Sequence, residues 1–143
     1  MIEQDTQFNQ YLSELRQWVR EVAIPAEEQV EAENCVPEKI VEDMRARGYF
    51  GWSIPVEFGG AGFTMEQLAL AGIEIAQCST AFRARSGTNT GIGSEGLVQD
   101  GTDAQKKKYL PKLASGALTG CFALSEPDAG SDATAIATTA HRD

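Results

Sequence analysis

Apolar residues recur at three- and four-residue steps through most of the first hundred positions, and that period confines the chain to packed amphipathic helices. Phe8, Leu12, Leu15, Trp18, Val19 and Val22 form the first stripe. Pro25 lacks an N–H, and its ring collides with the carbonyl four residues back, so the first helix is expected to end or bend there. Pro37 suits the first turn of a second helix that buries Ile40, Val41 and Met44, with Gly48 just past its end. Tyr49 to Gly62 (YFGWSIPVEFGGAG) is aromatic and glycine-rich without a helical period, the signature of a structured loop packed on helices. Thr64-Met-Glu-Gln67 and Thr102-Asp-Ala-Gln105 are capping boxes, in which hydroxyl and amide satisfy each other's otherwise orphaned backbone N–H groups. They predict helices running to about Gln77 and onward from Thr102, the second with Lys106, Lys107 and Lys108 on its wet side. Ser79 or Thr80 caps a further helix expected through Ala81–Gln99.

The period changes after Gly116. Cys121-Phe-Ala-Leu124 reads as a short buried strand, Glu126–Asp132 (EPDAGSD) as a tight turn, and Thr134–Ala140 as a second, Thr-rich strand. The 143 residues carry 42% apolar side chains, enough for a core. Twelve basic against twenty-one acidic residues give a net charge of −9, which disfavours nucleic acid and anionic membrane surfaces as partners. No apolar run approaches the ~20 residues that span a bilayer, and MIEQDTQFNQ is too acidic and polar for a signal or transit peptide. Cys35, Cys78 and Cys121 are odd in number and widely spaced, so reduced thiols in a cytoplasmic chain are expected, and no metal site.

Several motifs match by letter only. Gly91-Ile-Gly93-Ser-Glu-Gly96 fits the dinucleotide fingerprint, but a polar stretch (Arg83 to Thr90) precedes it where that loop requires a buried strand. Its glycines read as places where backbone approaches something closely. His141-Arg142-Asp143 echoes a kinase catalytic loop without any accompanying kinase element. His141 is the only histidine, which excludes a His-dependent triad within this chain. Glu27/Glu28 and Glu42/Asp43 read as solvated helix faces.

Gly101-Thr-Asp-Ala-Gln-Lys-Lys-Lys-Tyr-Leu-Pro-Lys-Leu-Ala-Ser-Gly116, followed by Cys121-Phe-Ala-Leu-Ser-Glu-Pro-Asp-Ala-Gly-Ser-Asp132, strongly resembles the acyl-CoA dehydrogenase family. Gly48 to Gly62 is similar to that family's G-x-x-G-x-x-x-P-x-x-[YF]-G-G-x-G loop, and the three motifs keep the family order. The resemblance implies a mainly α fold: an N-terminal helical domain, here residues 1–117, followed by the first strands of a β-barrel-like middle domain, residues 118–143. It implies a flavoenzyme that dehydrogenates an acyl-CoA thioester to a trans-2-enoyl-CoA, with FAD accepting the hydride. The family's carboxylate base lies in a later domain, so no residue here takes that part. An electron-transferring flavoprotein as electron acceptor and a homotetramer or dimer are implied for the full-length protein. The same scaffold serves acyl-CoA oxidases and flavin monooxygenases, and a non-catalytic helical interaction module is the reading from a different class.

By the same resemblance, Leu124 and Ser125 offer backbone donors along the flavin's pyrimidine edge, the Ser125 hydroxyl reaches N5, and Phe122 lies beside flavin and acyl chain. Preorganised neutral donors suit the negative charge that reduced flavin carries near N1 and C2=O. Gly130 allows close approach, and Ser131 meets the diphosphate and the CoA portion. The alternative is that Ser125 and Ser131 only close their own turn. Arg83, Ala84 and Thr88 fall where the acyl pocket is shaped. The Phe82-Arg83 pair is similar to that of glutaryl-CoA dehydrogenases, in which the Arg binds a distal carboxylate; pairing to a neighbouring acid or to solvent is the alternative.

Overall fold

The computed structural model describes residues 2–141, with side chains from Thr6 onward. The Arg142-Asp143 end of the kinase-like triplet therefore lies outside the described residues. The first helix, α1 (Ile2–Trp18), buries Phe8, Leu15 and Trp18 and half-buries Leu12, as the apolar stripe requires. Around Pro25 the helix changes form instead of giving way to a loop. Five residues, Val19–Ala23, widen into a π-helix, Ile24–Ala26 tighten into a 3-10 turn, and α2 (Glu27–Glu33) continues from there. Widening relieves the clash between the proline ring and the preceding turn. Asn34, in the left-handed region at φ 49°, then stops α2.

The second expected helix is α3 (Glu38–Ala46), with Pro37 standing just before its first turn and accepting the N–H groups of Ile40 and Val41. Gly48 follows its end at φ 73°. Residues 49–64 form the aromatic loop. Both capping boxes are made: Thr64 opens α4 (Met65–Ile75) and Thr102 opens α7 (Asp103–Ala114), each with its glutamine closing the reciprocal bond. Ser79 is the cap of α5 (Thr80–Gly87). Lys107 and Lys108 are exposed on α7, and Lys106 is half-buried.

Two expectations are corrected. The helix expected across Ala81–Gln99 is interrupted at residues 88–94 and resumes as α6 (Glu95–Asp100). Gly87 to Gly93 supplies weak helix formers, and the Asn89 carboxamide is drawn out of the helix direction by partners elsewhere in the fold. The strands expected at Cys121–Leu124 and Thr134–Ala140 form no ladder among the described residues. The first takes no regular secondary structure and is exposed, the second begins as a 3-10 turn at Ala133–Ala135, and the one β-bridge described, Glu126 to Ala129, closes the turn between them. An extended segment becomes a sheet strand only when a neighbour takes its N–H and C=O groups, and none lies beside these.

The main core joins Leu15, Trp18 and Val19 of the first helix to Val41 and Met44 of α3, Tyr49 and Trp52 of the loop, Ile75 of α4 and Phe82 of α5. A second cluster packs Leu110, Leu113 and Ala114 of α7 on Ile54, with Leu97 and Val98 of α6 at its side. All three cysteines are free thiols; burial pushes Cys78 up to about 11. Among the described residues no helix is long and apolar enough to cross a membrane.

Helices α1 and α4 are tied by a charge across their packed faces. The Arg16 guanidinium donates to both oxygens of the buried Glu74 carboxylate, at 2.5 and 3.0 Å, and Gln77 donates at 2.9 Å. The Arg16 hydrogen bond holds the Glu74 carboxyl below its ordinary 4.5, against the opposing effect of burial. Arg16→Met should destabilise the fold near neutral pH, because a buried carboxylate then loses its charged donor. A depressed folded pKa places the pair's contribution above the unfolded value, and that contribution is lost as pH falls through the folded one. The deficit of the variant should therefore shrink below pH 4.5. Urea unfolding of both proteins at neutral and acid pH checks this; an equal deficit at both would mean that Arg16 acts by packing alone.

Candidate functional site

The chain leaves the helical unit through a tightly held exit. Asn89, fully buried in the break between α5 and α6, donates through Nδ2 to the carbonyls of Leu113 (2.9 Å) and Leu118 (2.7 Å). Its Oδ1 accepts the Gly120 N–H at 2.7 Å. The Gly93 and Gly120 backbones touch so closely that a Cβ on Gly120 would lie 2.8 Å from the Gly93 Cα. Arg85 donates to the Thr119 hydroxyl at 3.1 Å, and its guanidinium lies 5.6 Å over the Phe50 ring. Arg45 donates to the Gly116 carbonyl at 3.2 Å.

Past Gly120 these contacts stop. Residues 121–125 take no regular secondary structure and are exposed, with Phe122 59% and Leu124 38% accessible. Among the described residues, the N–H groups of Phe122, Leu124 and Ser125 and the Ser125 hydroxyl make no hydrogen bond. The same holds for the N–H and hydroxyl of Ser131. Neither serine side chain bonds the backbone of its own turn among the described residues. A Cβ built on Gly130 meets nothing within 4 Å, so no packing inside the described chain demands glycine there.

The turn between is built by two carboxylates. Glu126 and Ala129 exchange backbone hydrogen bonds around Pro127 and Asp128. The Glu126 carboxylate accepts the N–H groups of Ala137 and Thr138, each at 2.9 Å, and the Thr138 hydroxyl. These donors, the Thr138 hydroxyl foremost, hold its carboxyl below the usual range. Asp132 accepts from the Thr134 N–H and hydroxyl, which depress it likewise.

The second expected group, on α5, is divided. Arg83 is exposed at the edge of a cavity of about 180 Å³ that Trp52, Leu68, Ile75, Gly87 and Thr90 also line, and its guanidinium has no hydrogen bond or ion pair among the described residues. Ala84 is exposed and Thr88 is half-buried with an unpartnered hydroxyl; neither lines that cavity. No residue of 118–141 lines it either, so the described structure leaves Arg83 apart from the Phe122–Ser131 segment. Two functional placements were not read from the sequence. Asn89 lies inside a run of Gly and Thr and looks like one more polar loop residue. Glu126 stands in the recognised motif, yet its partners eleven and twelve residues on are visible only in the fold.

The geometry is that of an α-helical unit followed by a stretch whose backbone donors are unpaired among the described residues. The sequence model of the acyl-CoA dehydrogenase N-terminal domain matches residues 6–117, and this chain belongs to the acyl-CoA dehydrogenase family. It is 36% identical over 126 residues to an acyl-CoA dehydrogenase of Bacillus subtilis, covering 88% of this chain and 33% of that protein. It is 38% identical over 130 residues to a glutaryl-CoA dehydrogenase of Desulfococcus multivorans, covering 89% and 33%. A crystal structure of a glutaryl-CoA dehydrogenase from Mycobacterium smegmatis in complex with FADH2 superimposes with a TM-score of 0.83 at 27% identity, over 96% of this chain and 35% of that one. The chain thus spans about a third of the length of these relatives.

Glu126→Ala should release residues 136–138 while leaving the helices intact, since the carboxylate is what gathers them. Because the folded pKa is depressed, the wild-type turn should hold above the unfolded value of 4.5 and loosen as pH falls through the folded one. Amide exchange at Ala137 and Thr138 reads both effects; protection there that survives the substitution would show that another contact holds the segment.

Proposed function

We propose that this chain supplies the helical part and the first flavin-contacting segment of an FAD-dependent acyl-CoA dehydrogenase, which converts an acyl-CoA thioester to a trans-2-enoyl-CoA. The observation that carries the reading is the row of unpaired donors at Leu124, Ser125 and Ser131, each at its place in the Leu124-Ser-Glu-Pro-Asp-Ala-Gly-Ser-Asp132 motif. FAD, when bound, accepts the β-hydride of the substrate. The backbone of Leu124 and Ser125 and the Ser125 hydroxyl would hold the flavin edge through neutral, prearranged donors. Phe122 would pack beside it, and Gly130 with Ser131 would take the diphosphate and CoA portion. Arg83, Ala84 and Thr88 would shape the acyl end. The proton-abstracting base is assigned to no residue of this chain. Domains of 1–117 and 118–143, an electron-transferring flavoprotein as acceptor, a homo-oligomer and a cytoplasmic location complete the proposal.

Residues 1–143 alone should be inactive and should not retain stoichiometric FAD after gel filtration, because an unpaired segment with exposed Phe122 and Leu124 does not enclose a cofactor. Joined to the remaining two-thirds of the Bacillus subtilis relative, the same residues should yield a yellow protein that is bleached by acyl-CoA. In that protein Ser125→Ala should weaken flavin binding and slow its reduction several-fold, the ~0.5–1.5 kcal/mol of one neutral hydrogen bond. A colourless chimera that is nonetheless folded would overturn the reading.

An exposed, unpaired guanidinium at the edge of a cavity that Trp52 also lines favours an acyl group ending in a carboxylate. In the chimera, Arg83→Met should lower kcat/KM for a dicarboxylic acyl-CoA such as glutaryl-CoA by about one to two decades more than for butyryl-CoA. Equal losses on the two substrates would make Arg83 structural.

A further inference from the structure

We propose that Asn89 is a positioning residue for the segment proposed to meet the flavin: its carboxamide fixes where and in which direction residues 121–125 leave the helical unit. The inference rests on the flavin reading for its purpose, but its geometry is independent of it. Asn89 is fully buried, and it touches three backbone groups from two sides of the exit. Two of them, the Leu113 and Leu118 carbonyls, straddle the turn that ends α7; the third, the Gly120 N–H, is the last backbone donor held before the free stretch begins.

Only a primary amide of this length meets the requirement. Two carbonyls need two N–H donors, the Gly120 N–H needs an acceptor, and a carboxamide offers both at one carbon. An apolar residue would leave the Gly120 N–H and the Leu118 carbonyl without this partner and the Leu113 carbonyl with the Gly116 N–H alone, and a carboxylate would set negative charge against two carbonyl oxygens. Gly93 and Gly120 make the arrangement possible: their backbones are in contact, and a Cβ on either would lie within 3 Å of the other's backbone. The carboxamide therefore works at a distance too short for any bridging side chain from the other face. Arg85 on Thr119 and Arg45 on Gly116 hold the flanks of the exit, but neither reaches Leu118 or Gly120.

The test compares the wild-type chain, residues 1–143, with Asn89→Asp and Asn89→Ala by residue-resolved amide exchange, each rate expressed as protection relative to an unstructured peptide. In the wild type the Gly120 amide should be protected and those of Phe122, Leu124 and Ser125 should not. Asn89→Ala, which removes the acceptor of the Gly120 N–H, should reduce protection there about ten- to a hundredfold; Asn89→Asp keeps an acceptor but turns a charge on the Leu113 and Leu118 carbonyls, and should reduce it less. The Trp18 and Ile75 core should keep protection within about twofold. Lowering the pH should restore part of the loss in Asn89→Asp, because the protonated carboxyl regains one donor, and restore none in Asn89→Ala. A fall in protection spread evenly over core and exit, or an Asn89→Asp deficit indifferent to pH, would overturn the proposal. An unprotected Gly120 amide in the wild type overturns it without any variant. Failure of the chimera to bind flavin with the exit protection intact would instead overturn the flavin reading alone.

Discussion

The Trp18 indole is the piece on which the remaining elements are assembled. It crosses Tyr49 edge to face at a centroid distance of 5.1 Å and Phe82 at 6.0 Å, and its N–H donates to the Asp43 carboxylate at 2.6 Å. One side chain of α1 thereby fixes α3, the aromatic loop and α5 at once. The loop then carries the arrangement outward, since Trp52 donates to the Tyr11 hydroxyl and packs near Phe63. An indole supplies large apolar area together with a single donor that must be satisfied, so it specifies orientation as well as burial. Phe50, next to Tyr49, reaches the Gly116 turn and underlies Arg85, which is how the core's geometry arrives at the exit of the chain.

Much of this was legible because the governing interactions are local. The capping boxes at Thr64 and Thr102 span four residues each, and helix starts followed them to the residue. The Phe8–Val22 stripe told which face of the first helix would be inside, and Gly48 marked a left-handed position that follows a helix end. Pro25 was legible as a disturbance but not as its form, since a π-helix and an ended helix differ only in how the preceding turn relaxes.

What escaped depends on partners far along the chain. Asn89 is matched to carbonyls 24 and 29 residues away, and no local pattern announces it. The same distant partners broke the helix expected through Gln99, because a side chain drawn sideways into the exit cannot sit in a regular helix of Gly and Thr. The strand expectation at Cys121–Leu124 came from an apolar run, which reports that a segment belongs beside something without saying what. In the described structure nothing lies beside it, and Phe122 and Leu124 stay exposed. Arg83 and Arg85 show the limit most plainly. Two residues apart on one helix, one is spent on Thr119 and Phe50 while the other is exposed and unpaired at the edge of a cavity, a division set by which side of α5 faces the exit.

Held and free backbone alternate along the last third of the chain in a pattern that has physical consequences. Residues 113–120 are held by Asn89, Arg45 and Arg85; residues 121–125 are free; Glu126 and Asp132 then build a turn that gathers residues 133–138. The printed bonds of that turn all fall within residues 126–138, so the free stretch joins an exit held to the helices to a turn held to itself. A fully paired segment would have no donors to give. The family motif concentrates its fixed residues, Glu126 and Asp132, at the turn and leaves its serines unpaired. Within this chain those two acids act on the backbone around the donors, which is why a run so polar can be ordered without forming a sheet.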